Sequence, residues 1–151
     1  MAEISSLQAA DYAAGRKTVS NKALCKKRVL VITSPTTAAW AQGDTIASPV
    51  LLPAGTRFGA GSLASHGALG TSVTLDVGIR DKNGTAIDAD GIASAVAVAS
   101  AGRTALNNGA LVAAGVDYVT SVPCYVYATL GGANPTDDAQ IRLEIEVLLP
   151  D

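Results

Sequence analysis

Few side chains in this 151-residue sequence are of the types that commonly perform catalysis. His66 is the only histidine, and its neighbour Ser65 would point to the opposite side of an extended chain. A nucleophile needs a base within hydrogen-bond reach, so this pair does not indicate a catalytic site. We therefore interpret His66 as a loop histidine without a catalytic role.

Asp88-Ala89-Asp90-Gly91 places carboxylates two residues apart before a glycine, a spacing that suits a hard cation such as calcium. The bidentate glutamate that closes an EF-hand loop is missing, so an aspartate-rich turn is the favoured interpretation. A small enzyme or binding module that uses Asp76, Asp88 and Asp90 remains the alternative. We predict no metal and no cofactor.

Gly59-Ala60-Gly61-Ser62-Leu63-Ala64 has the G-x-G-x-x-A spacing of a dinucleotide-binding turn. That turn works only between a strand and a helix, and no helical pattern follows here. We therefore predict no nucleotide site, and residues 59–70 are predicted to form a loop rich in small residues.

Cys25 and Cys124 are the only cysteines, too few for a disulfide framework. Two reduced thiols are the default expectation. A Cys25–Cys124 disulfide, within a subunit or between subunits, is the alternative, and the sequence does not decide between them because pairing depends on distance.

Basic residues concentrate at the start of the chain, although the whole sequence carries a formal charge of −2. Residues 1–28 hold six bases and two acids, whereas residues 29–151 hold five bases and eleven acids. The six bases are Arg16, Lys17, Lys22, Lys26, Lys27 and Arg28. We predict a basic N-terminal arm (1–28) on an acidic domain (29–151), either docking on a negative surface or lying free in solvent.

Apolar and polar residues alternate with the period of two that is typical of strands after residue 28. The clearest examples are Thr71–Arg80 and Ile141–Leu149. Tyr118–Thr120 and Cys124–Leu130 are predicted strands, and Ile92–Ala101 fits either a short helix or a strand. Asn83-Gly84 predicts a hairpin turn in which both residues adopt positive φ.

Proline, glycine and asparagine separate these short segments, and no long amphipathic helix lies between them. Pro49 interrupts an apolar stretch and so indicates an edge strand or a bulge. The predicted fold is mainly β: a single antiparallel β-sandwich of jelly-roll type with an extended N-terminal arm.

The composition argues against most zinc enzymes, haem proteins and histidine-dependent hydrolases, but the 13 acidic residues do not exclude a carboxylate-based enzyme. Aromatic residues make up 4% of the chain, with one tryptophan, one phenylalanine and one histidine, which leaves little material for an aromatic pocket or a histidine-based site. No segment predicts a signal peptide or a membrane span. Direct nucleic-acid binding is not favoured, because the arm contains only Tyr12 for base stacking and the body is acidic.

Three segments carry a family resemblance: Gly43-Asp44-Thr45-Ile46 leading to Leu52-Pro53-Ala54-Gly55-Thr56-Arg57, then Val73–Ile79, then Ile141–Val147. Over residues 40–150 the chain resembles small structural proteins of tailed bacteriophage virions, which act as head decoration (cement) or minor head proteins. The resemblance implies a β-sandwich, oligomerisation and no enzyme activity, and it assigns no site residue.

The expected function is therefore a capsid decoration protein that binds and stabilises the phage head. It would be made in the host cytoplasm and located on the capsid surface. The expected partners are the major capsid protein or other virion proteins, and further copies of the chain, with a trimer as one option. The six arm bases are the predicted contacts to an acidic capsid surface. A tail component (tube, baseplate or fibre-associated protein) is the alternative.

Overall fold

The structure is a computed structural model that describes residues 26–35, 40–113, 118–136 and 138–150. These residues form nine strands and one short helix. The strands are β1 (Lys26–Thr33), β2 (Thr45–Ala47), β3 (Arg57–Phe58), β4 (Leu63–His66), β5 (Thr74–Asp81), β6 (Ala86–Ala97), β7 (Gly102–Ala105), β8 (Cys124–Gly131) and β9 (Ile141–Leu149). The helix, α1, is Ala110–Ala113 and follows β7.

The strands form two antiparallel sheets. One sheet has the order β1-β9-β4-β7, with β3 pairing β9 as a fifth strand, and the other has the order β2-β8-β5-β6. The pairs β1–β9, β2–β8, β4–β7 and β5–β6 are nested like one long hairpin that has been rolled into two layers. This nesting is the topology of a jelly roll, so the predicted fold class is confirmed.

The core lies between the sheets and is built from the alternating positions. Val73, Leu75, Val77 and Ile79 around β5 are buried. Ile141 and every second residue of β9 up to Val147 are buried with them. Aliphatic side chains from both sheets form one continuous cluster. Because each strand turns one face toward this cluster, every second residue is apolar, and the alternation in the sequence identified these two strands correctly.

Three local predictions differ from the structure. The predicted loop at residues 59–70 contains β4, because pairing with β7 and β9 makes a strand of four residues whose own signal is weak. Tyr118–Thr120 forms no strand, whereas for Ile92–Ala101 the strand alternative is the one observed, up to Ala97. β1 begins at Lys26, so residues 26–28 of the predicted arm belong to the sandwich.

Two turn predictions can be compared directly. The β5–β6 hairpin turns at Asp81–Gly84 as predicted, but only Gly84 adopts positive φ; Asn83 does not. The Asp81 carboxylate accepts hydrogen bonds from the backbone N–H groups of Asn83 and Thr85, which fixes the turn. Pro49 follows β2, an edge strand of the four-stranded sheet, as its ring requires.

Candidate interaction surfaces

The predicted arm bases fall into two groups. Arg16, Lys17 and Lys22 lie outside the described residues, as does Cys25. The other three bases are consecutive in β1, where Lys27 and Arg28 are exposed. The sandwich therefore holds half of the predicted contact residues on an edge strand.

Lys27 is tied to the sheet by Glu146 on β9. Its ammonium lies 2.6 Å from the Glu146 carboxylate, and the glutamate side chain is only 17% exposed. That carboxylate rests on the backbone of Gly59 and Gly61, where a Cβ would overlap it. The G-x-G spacing in the sequence thus accommodates a neighbouring carboxylate.

The outer face of the five-stranded sheet brings together residues that are distant in sequence. Ser65 on β4 is flanked in register by Arg142 on β9 and by Arg103 on β7. Since strands lie about 4.8 Å apart, the two arginines share one end of the face, about 10 Å from each other. Arg57 and Lys27 flank Leu148 in the same way at the other end.

Exposed aliphatic residues occupy the edge of this face. Val29 is 56% exposed and Val31 is 46% exposed, and they lie opposite Glu146 and Glu144 in register. The basic face is the name used below for the outward side chains of these strands: Lys27, Val29, Val31, Arg57, Leu63, Ser65, Arg103, Ala105, Arg142, Glu144, Glu146 and Leu148.

The two sheets carry opposite charge. The strands of the five-stranded sheet contain six bases and two acids, a formal charge of +4. The strands of the four-stranded sheet contain four acids, Asp76, Asp81, Asp88 and Asp90, against the single base Arg80, a formal charge of −3. The acids all lie on β5 and β6, and this set is called the acidic hairpin below.

The aspartates considered for metal binding are engaged by protein groups. Asp76 accepts a hydrogen bond from the Ala95 N–H, Asp88 accepts one from the Asp90 N–H, and Asp90 accepts one from the Ser94 hydroxyl. Within the described ranges, no group of three or more potential ligands is arranged to hold a metal ion. These hydrogen bonds instead stabilise β6 where it bulges away from β5.

His66 lies on β4 rather than in a loop and is 8% exposed. Its ring nitrogens lie 3.0 Å from the Gly67 carbonyl and 3.0 Å from the Thr104 hydroxyl. One partner is a backbone carbonyl and the other is a threonine hydroxyl on β7, so the ring links β4 to β7. The sequence interpretation of His66 as a loop residue is wrong, and its lack of a catalytic role stays a prediction.

Cys124 begins β8 and is buried as a free thiol. Burial raises the pKa of the Cys124 thiol to about 11, so it stays protonated near neutral pH. Because Cys25 lies outside the described residues, the Cys25–Cys124 disulfide stays a prediction. In the part of the chain that the structure describes, no helix is long and apolar enough to cross a membrane.

The fold and these surfaces define a jelly-roll β-sandwich with oppositely charged sheets. The chain is similar in fold to a chain of the acidic stable capsid structure of Helicobacter pylori bacteriophage KHP30, with a TM-score of 0.53 and 16% sequence identity. The match covers 85% of this chain and 92% of the phage chain. No protein-family model and no curated protein sequence matches the chain.

The sequence did not indicate that Arg57, Arg103 and Arg142 share a face with Lys27. Each arginine stands alone in its own segment, and only the pairing of β3, β4 and β7 around β9 unites them. The alternation of β9 did place Arg142 on the polar side, which is the one signal the sequence offered.

Proposed function

We propose that this protein is a structural component of a bacteriophage virion and that it decorates the outside of the head. The single observation that carries the proposal is the fold shared with a chain of a phage capsid structure over 85% of the sequence. Jelly rolls recur in viral capsids, although the same fold also serves lectins and enzymes. The sequence resemblance to phage head proteins points in the same direction.

The arm bases supply the contact with the head in this proposal. Arg16, Lys17 and Lys22 precede β1, and Lys26, Lys27 and Arg28 continue onto its exposed edge. An edge strand presents unpaired backbone groups together with its side chains, which suits docking on an adjacent subunit. Acidic residues on the capsid protein would pair with the bases, and the interaction would weaken as ionic strength rises.

The test is to locate the protein on virions of the phage that encodes it, by antibody-gold labelling followed by electron microscopy. We expect label over the head surface. Label confined to the tail would favour a tube, baseplate or fibre-associated protein, and virions without label would overturn the virion assignment.

A second experiment tests the arm. The triple variant Arg16→Gln, Lys17→Gln, Lys22→Gln leaves every described strand unchanged and should reduce binding to undecorated heads at least tenfold. Lys82→Gln removes one positive charge at the exposed tip of the β5–β6 hairpin and serves as a single-charge control away from the arm. Equal head binding by the triple variant and the control would exclude the arm as the contact.

A further inference from the structure

We infer that copies of this chain associate head to tail, with the basic face of one copy docked on the acidic hairpin of the next. The inference concerns contacts between identical chains and does not depend on the proposed function. Its starting point is the separation of charge between the sheets, +4 on one set of strands and −3 on the other. The basic face itself holds four bases and two acids, a formal charge of +2.

Charge complementarity selects a second copy as the occupant of the basic face. Because the strands of one sheet are basic and those of the other are acidic, each copy can present to its neighbour a surface of opposite charge. Like surfaces would repel, so a symmetric pairing of two basic faces or of two acidic hairpins is disfavoured. An interface between two different surfaces repeats from copy to copy, and so closes into rings or extends into arrays.

The contact residues are closely spaced on each surface, and all of them keep some exposed surface. On the basic face, Arg103 and Arg142 flank Ser65 and are both exposed, and Arg142 also pairs with Glu144 on the same strand at 3.0 Å. On the acidic hairpin, Asp90 is exposed and Asp88 is half-buried two residues away on the same strand. The two arginines lie farther apart than the two aspartates, and the long arginine side chains can reach across that difference.

Aliphatic residues adjoin the charges on both sides. Leu63 and Ala105 form a register pair beside the two arginines, and both retain exposed surface. Ile87, 41% exposed, lies next to Asp88. Burying these aliphatic groups between copies would add a contribution that salt does not screen, while the charges set orientation and partner choice.

The test uses the purified full chain in sedimentation velocity at low and high salt. We expect the average sedimentation coefficient to rise with protein concentration at about 20 mM salt and to return to the monomer value near 0.5 M salt, where charges are screened. A wild-type chain that stays monomeric at millimolar concentration in low salt overturns the inference.

Two conservative variants identify the surfaces. Arg103→Gln with Arg142→Gln disables the basic face, and Asp88→Asn with Asp90→Asn disables the acidic hairpin while retaining oxygen acceptors for the bonds from Asp90 N–H and Ser94. Each double variant alone should associate at least tenfold more weakly. Lys82→Gln should associate as well as the wild type or better, because it removes a base beside the acidic hairpin.

Mixing the two double variants gives the decisive result. Each retains the surface that the other lacks, so an equimolar mixture should form 1:1 dimers and no larger species. A mixture of folded variants, judged by circular dichroism, that remains monomeric overturns the head-to-tail arrangement. Because no capsid is present, failure here is independent of failure in the virion labelling.

Discussion

In the five-stranded sheet, β1 and β9 pair over eight consecutive positions, whereas the pairing of β5 with β6 in the four-stranded sheet shifts register three times. Between the pairs Val77–Ala93 and Ile79–Asp88, one residue of β5 faces four residues of β6. In the irregular sheet the carboxylates of Asp76, Asp81 and Asp88 accept hydrogen bonds from backbone N–H groups of the same hairpin. The comparison indicates that register, as much as composition, sets what each surface can contact.

Glycines hold the irregular sheet together at close backbone contacts. A Cβ on Gly78 would overlap the backbone of Asp88 and Ala89. A Cβ on Gly109 would overlap the backbone of Gly91 and Asp90 in the same bulge. The acidic hairpin therefore depends on positions that only glycine can occupy, while Gly102 in the regular sheet has open space around it.

The largest expected effect is on stability, at Gly78. Gly78→Ala forces apart two backbone segments that have no flexible side chain between them, so it should lower the free energy of unfolding by about 3 kcal/mol or more. Gly102→Ala is the matched change in the other sheet and should alter stability by less than about 1 kcal/mol. Urea denaturation of both variants measures the difference, and equal losses would show that the two sheets do not differ in this way.

The next largest effect is a dependence of stability on pH, which comes from Cys124 in the four-stranded sheet. The Cys124 thiol has a pKa of about 11 in the folded chain against 9.0 as the unperturbed value, because burial disfavours the thiolate. Stability from this group is complete below pH 9 and falls as pH rises toward 11, since only the unfolded chain then ionises. Two pKa units correspond to about 2.7 kcal/mol, most of which should be lost by roughly pH 10.5.

Cys124→Ala removes that contribution and keeps Tyr118 and Tyr127, whose pKa values burial also raises. It also removes the part of the Tyr118 shift that comes from the Cys124 charge. The stability difference between wild type and variant should therefore shrink by about 2 kcal/mol between roughly pH 8 and pH 10.5. A difference that stays constant with pH would contradict the burial of the thiol.

Glycine substitutions at two alanines of β6 test the bulge. We expect smaller changes in the free energy of unfolding, of opposite sign at the two positions. Ala95 has a φ of 49°, a left-handed conformation that costs a residue with a Cβ about 1 kcal/mol. Ala95→Gly should therefore raise the unfolding free energy by up to about 1 kcal/mol. Ala97→Gly, two residues along in regular strand, should lower it by about 0.5–1 kcal/mol. The same sign for both changes, measured by thermal unfolding, would argue against the bulge.

The smallest effect is expected at the Lys27–Glu146 pair in the regular sheet. Lys27 is 61% exposed, so solvent screens the attraction despite the 2.6 Å separation. Glu146→Gln should cost less than about 1 kcal/mol, and that cost should fall further in high salt. A salt-independent loss of several kcal/mol would mean that the packing on Gly59 and Gly61 outweighs the charge.

The sequence alone determined much of this protein. Alternation identified β5 and β9 and the buried side of each, because one face of a sandwich strand must be apolar. The turn at Asp81–Gly84 followed from residues that tolerate tight turns. The mainly β class, the jelly-roll sandwich and the concentration of bases before residue 29 were all readable from local patterns.

Only the tertiary structure decided which distant residues meet. β4 has four residues and a weak pattern of its own, and it becomes a strand because β9 and β7 pair with it. Arg57, Arg103 and Arg142 become one basic face through the register of separate strands, and Gly59 and Gly61 are explained by a carboxylate about 85 residues later in the chain. Strand pairing is non-local, so neither propensity nor spacing encodes it in any one segment. Along the sequence the bases concentrate before residue 29. In the fold, positive and negative charges lie on different sheets.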